Sequence, residues 1–233
     1  MIVIRDSHSR GRTSLDWLNS QHTFSFGDYY DQRHMGFRNL RVINEDFIEP
    51  SKGFPSHRHQ DMEIITYVFK GAVEHQDSLG NRALIQEEEI QCMSAGTGIV
   101  HSECNHSGVD ILHLLQIWIL PNQFGLIPSY QQRSANFAKD YNRLNLLVSP
   151  SGEDGSLSIH QDIKLYAGHL EPSVEIEFAI LSGRNAWLQM ITGNLLLNGS
   201  ALKIGDGAAI SQESNLLIQA QEQQAEFLLF DLN

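Results

Sequence analysis

Apolar positions along this chain fall in short runs, either continuous or alternating with polar residues, and rarely at helical spacing. The clearest runs are Asn39–Phe47 (NLRVINEDF), Glu63–Phe69 (EIITYVF), His113–Leu120 (HLLQIWIL), Trp187–Thr192 (WLQMIT) and Ala225–Leu232 (AEFLLFDL). Each is rich in β-branched or aromatic residues and bounded by Gly, Pro, Asn or Ser, which is the pattern of a strand. Only Leu15–Gln21 and parts of Gln131–Leu144 are spaced as short helices, and neither carries strong caps. Many short strands separated by turn residues predict an all-β sandwich or barrel. Two turns are well specified, at Leu79-Gly80-Asn81 and at Asn198-Gly199-Ser200, where Asn-Gly suits a tight hairpin.

The pattern also suggests a repeat. EIITYVFKG ends at Gly71, and WLQMITGN passes through Gly193, 122 residues later. Each leads into a short strand, a turn at Gly80 or Gly199, and a second glycine-rich piece, Ala95-Gly96-Thr97-Gly98 or Gly205-Asp206-Gly207. Two copies of one β unit are therefore expected. Residues 136–154 are polar and turn-rich and read as a linker, dividing the chain into domains 1–135 and 136–233.

At 233 residues the chain is long enough for one large or two small domains. Acidic residues outnumber basic ones 28 to 16, a net charge of -12, which argues against a phosphate-binding basic surface and leaves a protein partner open. No apolar run approaches the roughly 20 residues of a membrane helix. The start, MIVIRDSHSRGRTS, lacks the organisation of a signal peptide. A soluble, cytoplasmic protein is expected, with a monomer as the default. Cys92 reads as a buried thiol and Cys104 as an incidental one, a metal or redox role for Cys104 being the alternative.

Histidines carry the candidate chemistry. In an extended segment residues i and i+2 share a face, so His57 and His59 converge, as do His101 and Glu103. Brought together across a barrel, these pairs offer three imidazoles and a carboxylate, a set suited to a first-row divalent metal. A solvated polar surface and a hydrogen-bonded core cluster are the other readings of the same spacing. Glu63, four residues past His59, has the same parity and is a further candidate, either as ligand or as the partner that orients an imidazole. His8, His22, His34, His75, His106, His113, His160 and His169 read as structural, with His22 and His34 the first exceptions to consider. No histidine occurs between Val174 and Trp187, so the second copy lacks the pair that the first holds.

Gly53-x3-His57-x-His59-x3-Glu63 and Gly98-x2-His101-x3-Asn105 resemble the two metal-binding motifs of the cupin superfamily, although Gly53 stands nearer His57 than is usual. The closer resemblance is to the pirin family, and within it to bacterial pirins with quercetinase activity. HTFSF (22–26), MGF (35–37), LRVINED (40–46), HRHQDMEIITYV (57–68), GAVEHQDSLGN (71–81), MSAGTGIVHSE (93–103) and LQIWI (115–119) carry it, with VSPSGEDGSLSIHQD as the best piece beyond Ser149.

That resemblance implies a bicupin, two jelly-roll-like β-barrels packed face to face, with the metal in the N-terminal domain and a C-terminal domain without ligands. It implies His57, His59, His101 and Glu103 as the metal ligands and leaves Glu63 behind them. One divalent transition metal per chain is expected, Fe2+ favoured, with Mn, Co, Ni, Cu or Zn accepted by the same donors. The implied activity is flavonol 2,3-dioxygenation, in which O2 opens the central ring of quercetin and CO is released. Glu103 would serve as general base; Phe47, Phe54 and Trp118 read first as core residues and, in the alternative, as the wall of an aromatic pocket. The implied alternative is a non-enzymatic, redox-sensitive regulator acting through protein partners.

Overall fold

A computed structural model describes residues 1–134 and 141–233. Its strands are β1 (Ile2–Arg5), β2 (Gly11–Leu15), β3 (Leu18–His22), β4 (Leu40–Ile48), β5 (Gly53–His59), β6 (Glu63–Lys70), β7 (Ala72–Asp77) and β8 (Arg82–Gln86). They continue with β9 (Glu89–Ser94), β10 (Ile99–Asn105), β11 (Leu112–Ile119), β12 (Ser129–Ser134), β13 (Arg143–Ser149), β14 (Leu157–Ser158) and β15 (Ile163–Leu170). The rest are β16 (Glu175–Ala179), β17 (Asn185–Thr192), β18 (Leu195–Leu197), β19 (Ser200–Leu202), β20 (Gly207–Ile210), β21 (Asn215–Ala220) and β22 (Ala225–Leu232). The five strongest sequence runs became β4, β6, β11, β17 and β22. Among the described residues no helix is long and apolar enough to cross a membrane.

The strands form two compact units. The first runs from Gly11 through β12 and adds Leu157–Gln161; the second holds Met1–Arg10, β13 through Ser156, and Asp162–Asn233. In the first unit one sheet has the order β12-β9-β6-β11-β4-β3-β2 and the other β5-β10-β7-β8. In the second the sheets contain β1-β20-β17-β22-β15-β13 and β16-β21-β18-β19. Adding eleven to each strand number turns β9-β6-β11-β4 and β5-β10-β7-β8 into their counterparts in the second unit. The repeat suggested by Gly71 and Gly193 is thus a repeat of sheet order: these glycines follow β6 and β17 with φ of 89° and 68°. The two units are jelly-roll-like, the arrangement of a bicupin.

Several local expectations change. Leu15–Gln21 is not a helix. β2 and β3 form a hairpin with Leu15 opposite Leu18, and burial alternates along Leu18–His22, a period of two. Residues 135–140 lie outside the described residues, and so does the expected domain boundary at 135/136. On either side, Gln131–Ser134 and Arg143–Leu144 belong to strands β12 and β13. The expected linker also contains β13, which pairs with β15 and buries Leu147 and Val148 completely. The start of the chain joins the second unit, where Ile2 lies opposite Ile210 and packs on the core of that unit. Asn198 and Gly199 both have positive φ (46° and 79°), as a two-residue hairpin between β18 and β19 requires.

In the first unit the core is interrupted. Leu18, Ile48, Val68, Val73, Ile85, Leu112 and Leu114 form one apolar cluster, and Ile64, Met93, Ala95 and Ile99 another. On the large sheet a row of polar residues runs between them. His22, Asn44, Gln116, Thr66 and Gln91 lie opposite one another on β3, β4, β11, β6 and β9. Residues two positions away on the same face, Leu114 and Val68 on one side and Trp118, Ile64 and Met93 on the other, return to apolar packing. A buried row of this kind persists only where its members bond to one another or to something else.

Candidate metal centre

β5 and β10 are neighbours in the small sheet, and His57 lies directly opposite His101. Along β10 burial alternates, so Ile99, His101, Glu103 and Asn105 point inward and Val100 outward. The pairing slips by one residue between His101 and Glu103, a bulge on β5 that contains Pro55. Proline has no N–H to give a ladder and is tolerated at a bulge. The Pro55 carbonyl accepts from His57 Nδ1–H at 2.8 Å, which leaves Nε2 as the ring atom with a free lone pair.

The imidazoles of His57, His59 and His101 converge, with ring centroids 4.4, 4.7 and 4.9 Å apart. One nitrogen from each lies within 4.8 Å of the others. Burial above all, then neighbouring imidazoles, pushes the His59 pKa down to about 4 and that of His101 to about 3. At neutral pH both are therefore uncharged, the form that ligates a metal. His101 is 1% exposed, yet neither of its ring nitrogens has a hydrogen-bond partner. A buried polar atom without a partner is costly, and a cation held among the three rings removes that cost for one of these nitrogens. These residues fit a divalent metal.

Glu103 faces the same cavity but is fixed from the large sheet. Thr66 Oγ1 donates to its Oε1 at 3.1 Å and Gln116 Nε2 to its Oε2 at 2.9 Å, both from the polar row. Gln91 Nε2 donates in turn to Thr66 Oγ1 at 3.1 Å. Glu103 groups within 4.8 Å with His101 and with His75, a residue read from sequence as structural. His75 is register-paired with Glu103 on β7, and its Nε2–H donates to Asp77 Oδ2 at 3.0 Å. The signal for it is His75-x-Asp77, another i/i+2 pair, whose place beside β10 only strand pairing reveals.

Glu63 sits elsewhere. Its carboxylate accepts from Ser94 Oγ at 2.6 Å and from the His160 backbone N–H at 3.3 Å, so its bonds do not run to the three imidazoles. Its parity with His59 is broken by the turn at residues 60–62, where Asp61 has φ of 50° and the chain passes from the small sheet to the large one. Asn105 ties the end of β10 down through Nδ2, which donates to the carbonyls of Ile48 (3.0 Å) and Asp110 (2.8 Å). Cys92 is buried, which pushes its thiol pKa up, and neither it nor Cys104 joins a ligand group among the described residues. In the second unit His169-Leu170-Glu171 has ligand-like spacing, but His169 pairs with Glu226 at 2.9 Å and Glu171 bonds Asn142 at 2.8 Å.

The three imidazoles and Glu103 open on a cavity of about 350 Å³, within the range of small-molecule pockets. Leu18, Phe26, Phe54, Ile64 and Trp118 supply its apolar lining. Phe54 and Trp118 are thus where the aromatic wall was expected, whereas Phe47 is not: its ring stacks on His113, 4.1 Å away. β4 explains this, because inward and outward positions alternate and Phe47 has the parity opposite to Asn44 and Asp46. His22 lines the cavity too, donating from Nδ1 to Asn44 Oδ1 and accepting at Nε2 from Thr13 Oγ1, both at 2.8 Å.

The pirin family model matches residues 3–119, and a model described as the quercetinase C-terminal cupin domain matches 146–232. A quercetin 2,3-dioxygenase of Escherichia coli (strain K12) is 47% identical, covering 100% of this chain and 99% of its own. The crystal structure of the bacterial pirin YhhW from Escherichia coli in complex with nickel(II) is 46% identical, with a TM-score of 0.95 over 100% of this chain and 99% of that one. A quercetin 2,3-dioxygenase structure from Acinetobacter baumannii, 18% identical, has a TM-score of 0.81 over 99% of this chain and 85% of that one, a likeness of fold.

Proposed function

The chain belongs to the pirin family, and we propose that it is a metal-dependent flavonol 2,3-dioxygenase acting on quercetin-like substrates. The observation that carries the reading is the convergence of three imidazoles, two of them held neutral, on a cavity walled by aromatic and aliphatic side chains. Named relatives and a nickel(II)-bound relative support it.

In this reading His57, His59, His101 and Glu103 would hold one divalent metal; Fe2+ is the expected ion, although affinity order alone places Ni, Cu and Zn above it, and Mn and Co are open to the same donors. Bound there, the metal would supply Lewis acidity toward the 3-oxygen of a flavonol. The chain's own residues do the rest. Pro55 holds His57 in the tautomer that leaves Nε2 free. Thr66 and Gln116 hold Glu103 in place, where it would accept the proton of the 3-hydroxyl as general base. Phe26, Phe54 and Trp118 cover the flat faces of the substrate and exclude water. One flavonol and one O2 give one ring-opened ester and one CO, so that every atom is accounted for.

The test is to strip the protein of metal and reload it separately with Fe(II), Mn(II), Co(II), Ni(II), Cu(II) or Zn(II). Quercetin loss, O2 uptake and CO release are then followed beside a His57→Ala, His101→Ala double variant. Metal-dependent loss with one CO per turnover, absent from the double variant, is expected. No turnover with any metal, despite stoichiometric metal binding, would overturn the assignment.

A further inference from the structure

The cavity lies between two sheets of the first unit. The small sheet carries His57, His59, His101 and Glu103; strands β2, β3 and β4 of the large sheet carry Thr13, Ser20, His22, Asn44 and Asp46. Thr13, His22 and Asn44 bond to one another, and Gln116 is held on Glu103. Among the described residues that line the cavity, the buried side-chain atoms left without a partner are the two His101 nitrogens, Trp118 Nε1 and Asp46 Oδ1. The His101 pair belongs to the metal centre. What remains is one acceptor and one donor.

Asp46 is 2% exposed, so its free oxygen has no recourse to bulk water. Burial first, with Glu103 and Glu45 adding repulsion, raises its pKa to about 7, against a lowering contribution from Ser20. A carboxyl group is costly to bury in this way unless a ligand completes it. With acidic groups on both walls the cavity disfavours a carboxylated ligand and favours one that donates a neutral hydroxyl.

We infer that Asp46 is a recognition point for a phenolic hydroxyl of the substrate, separate from the 3-hydroxyl and 4-carbonyl that all flavonols share. Trp118 Nε1–H offers the complementary contact to a substrate oxygen. The ligand class is a polyhydroxylated aromatic, and the inference rests on the dioxygenase reading. A residue that recognises a substrate through one hydrogen bond discriminates strongly against the analogue that lacks the hydroxyl.

The experiment uses nickel(II)-loaded protein under nitrogen, so that binding is read without turnover. Quercetin and 3-hydroxyflavone, which has no hydroxyl besides the shared one, are titrated by tryptophan quenching against the wild type, Asp46→Ala and Asp46→Asn. Nickel content is measured for each sample. Asp46→Ala is expected to lose quercetin affinity by roughly 10- to 100-fold and to leave 3-hydroxyflavone within about twofold. Asp46→Asn, whose amide oxygen still accepts, falls between. Equal loss for both flavonols, or no loss for either, would overturn the inference while leaving the dioxygenase reading intact. If neither flavonol binds the nickel-loaded wild type, the flavonol reading itself falls and this subsite falls with it.

Discussion

Replacing His101 with leucine separates what the imidazole costs the fold from what it gives the metal centre. Both ring nitrogens are buried without partners. An unpartnered buried donor or acceptor costs about 1–3 kcal/mol, so the pair costs the metal-free protein roughly 2–6 kcal/mol. Leucine has similar bulk and no polar atom, and its different shape gives back up to about 1.5 kcal/mol. Metal-free His101→Leu is therefore expected to exceed the metal-free wild type by roughly 0.5–6 kcal/mol, each kcal/mol being worth about 2–4 °C in Tm for a chain of this size. Nickel offsets the advantage. A metal that binds only the folded state adds about 2.7 kcal/mol at a hundred times its Kd, and the variant forfeits that gain. Differential scanning calorimetry of chelator-treated and nickel-loaded samples reads both effects, because the transition that moves with nickel reports the unit that holds the site. A metal-free variant melting below the metal-free wild type would refute the reasoning, since the nitrogens would then be satisfied without metal.

Three further changes probe the walls of the site. A Cβ on Gly53 would lie 2.0 Å from the Glu103 carbonyl oxygen and 2.6 Å from Cys104 Cα. Backbone cannot swing aside, so Gly53→Ala is expected to lose about 1–3 kcal/mol and to weaken nickel binding by moving β5 away from Glu103; an unchanged Tm by circular dichroism would show that the strands have room. His75→Ala removes the ring centred 5.3 Å from that of His101 together with its tie to Asp77. Nickel affinity by competition titration should fall about 10- to 100-fold, and unchanged affinity would reduce the His75–Asp77 pair to packing. Asp46 is raised from 3.8 to about 7 in the folded protein, so the folded state keeps a proton that the unfolded chain has lost. The stability this confers is full below the unfolded pKa and is lost as pH rises through about 7, a cost of up to about 4 kcal/mol. The stability of metal-free Asp46→Asn relative to the wild type should therefore grow between pH 4 and 7.5 in urea denaturation, and a difference that stays flat would contradict the raised pKa.

What could be read from the chain divides along one physical line. Features contained within one segment were legible: His57 with His59 and His101 with Glu103 through a strand's period of two, and the short runs rich in β-branched and aromatic residues that became β4, β6, β11, β17 and β22. Features that depend on which strands become neighbours were not. Glu63 kept parity with His59 on paper, but a turn lies between them and the two strands enter different sheets. Phe47 looked like a pocket residue by composition, yet its parity on β4 is opposite to that of Asp46. His75 enters because β7 pairs with β10, and Asp46 because the sheet that carries β4 forms the other wall of the cavity. The polar row makes the same point at larger scale. His22, Asn44, Gln116, Thr66 and Gln91 are unremarkable one by one, scattered over five strands, and become one line only through register. That line holds Glu103 in place, so a one-residue slip of β11 against β6 would turn Gln116 outward and release the carboxylate. The site is therefore specified twice, once by local spacing that supplies donors and once by register that supplies their supports, and only the first is written in any single segment of the chain.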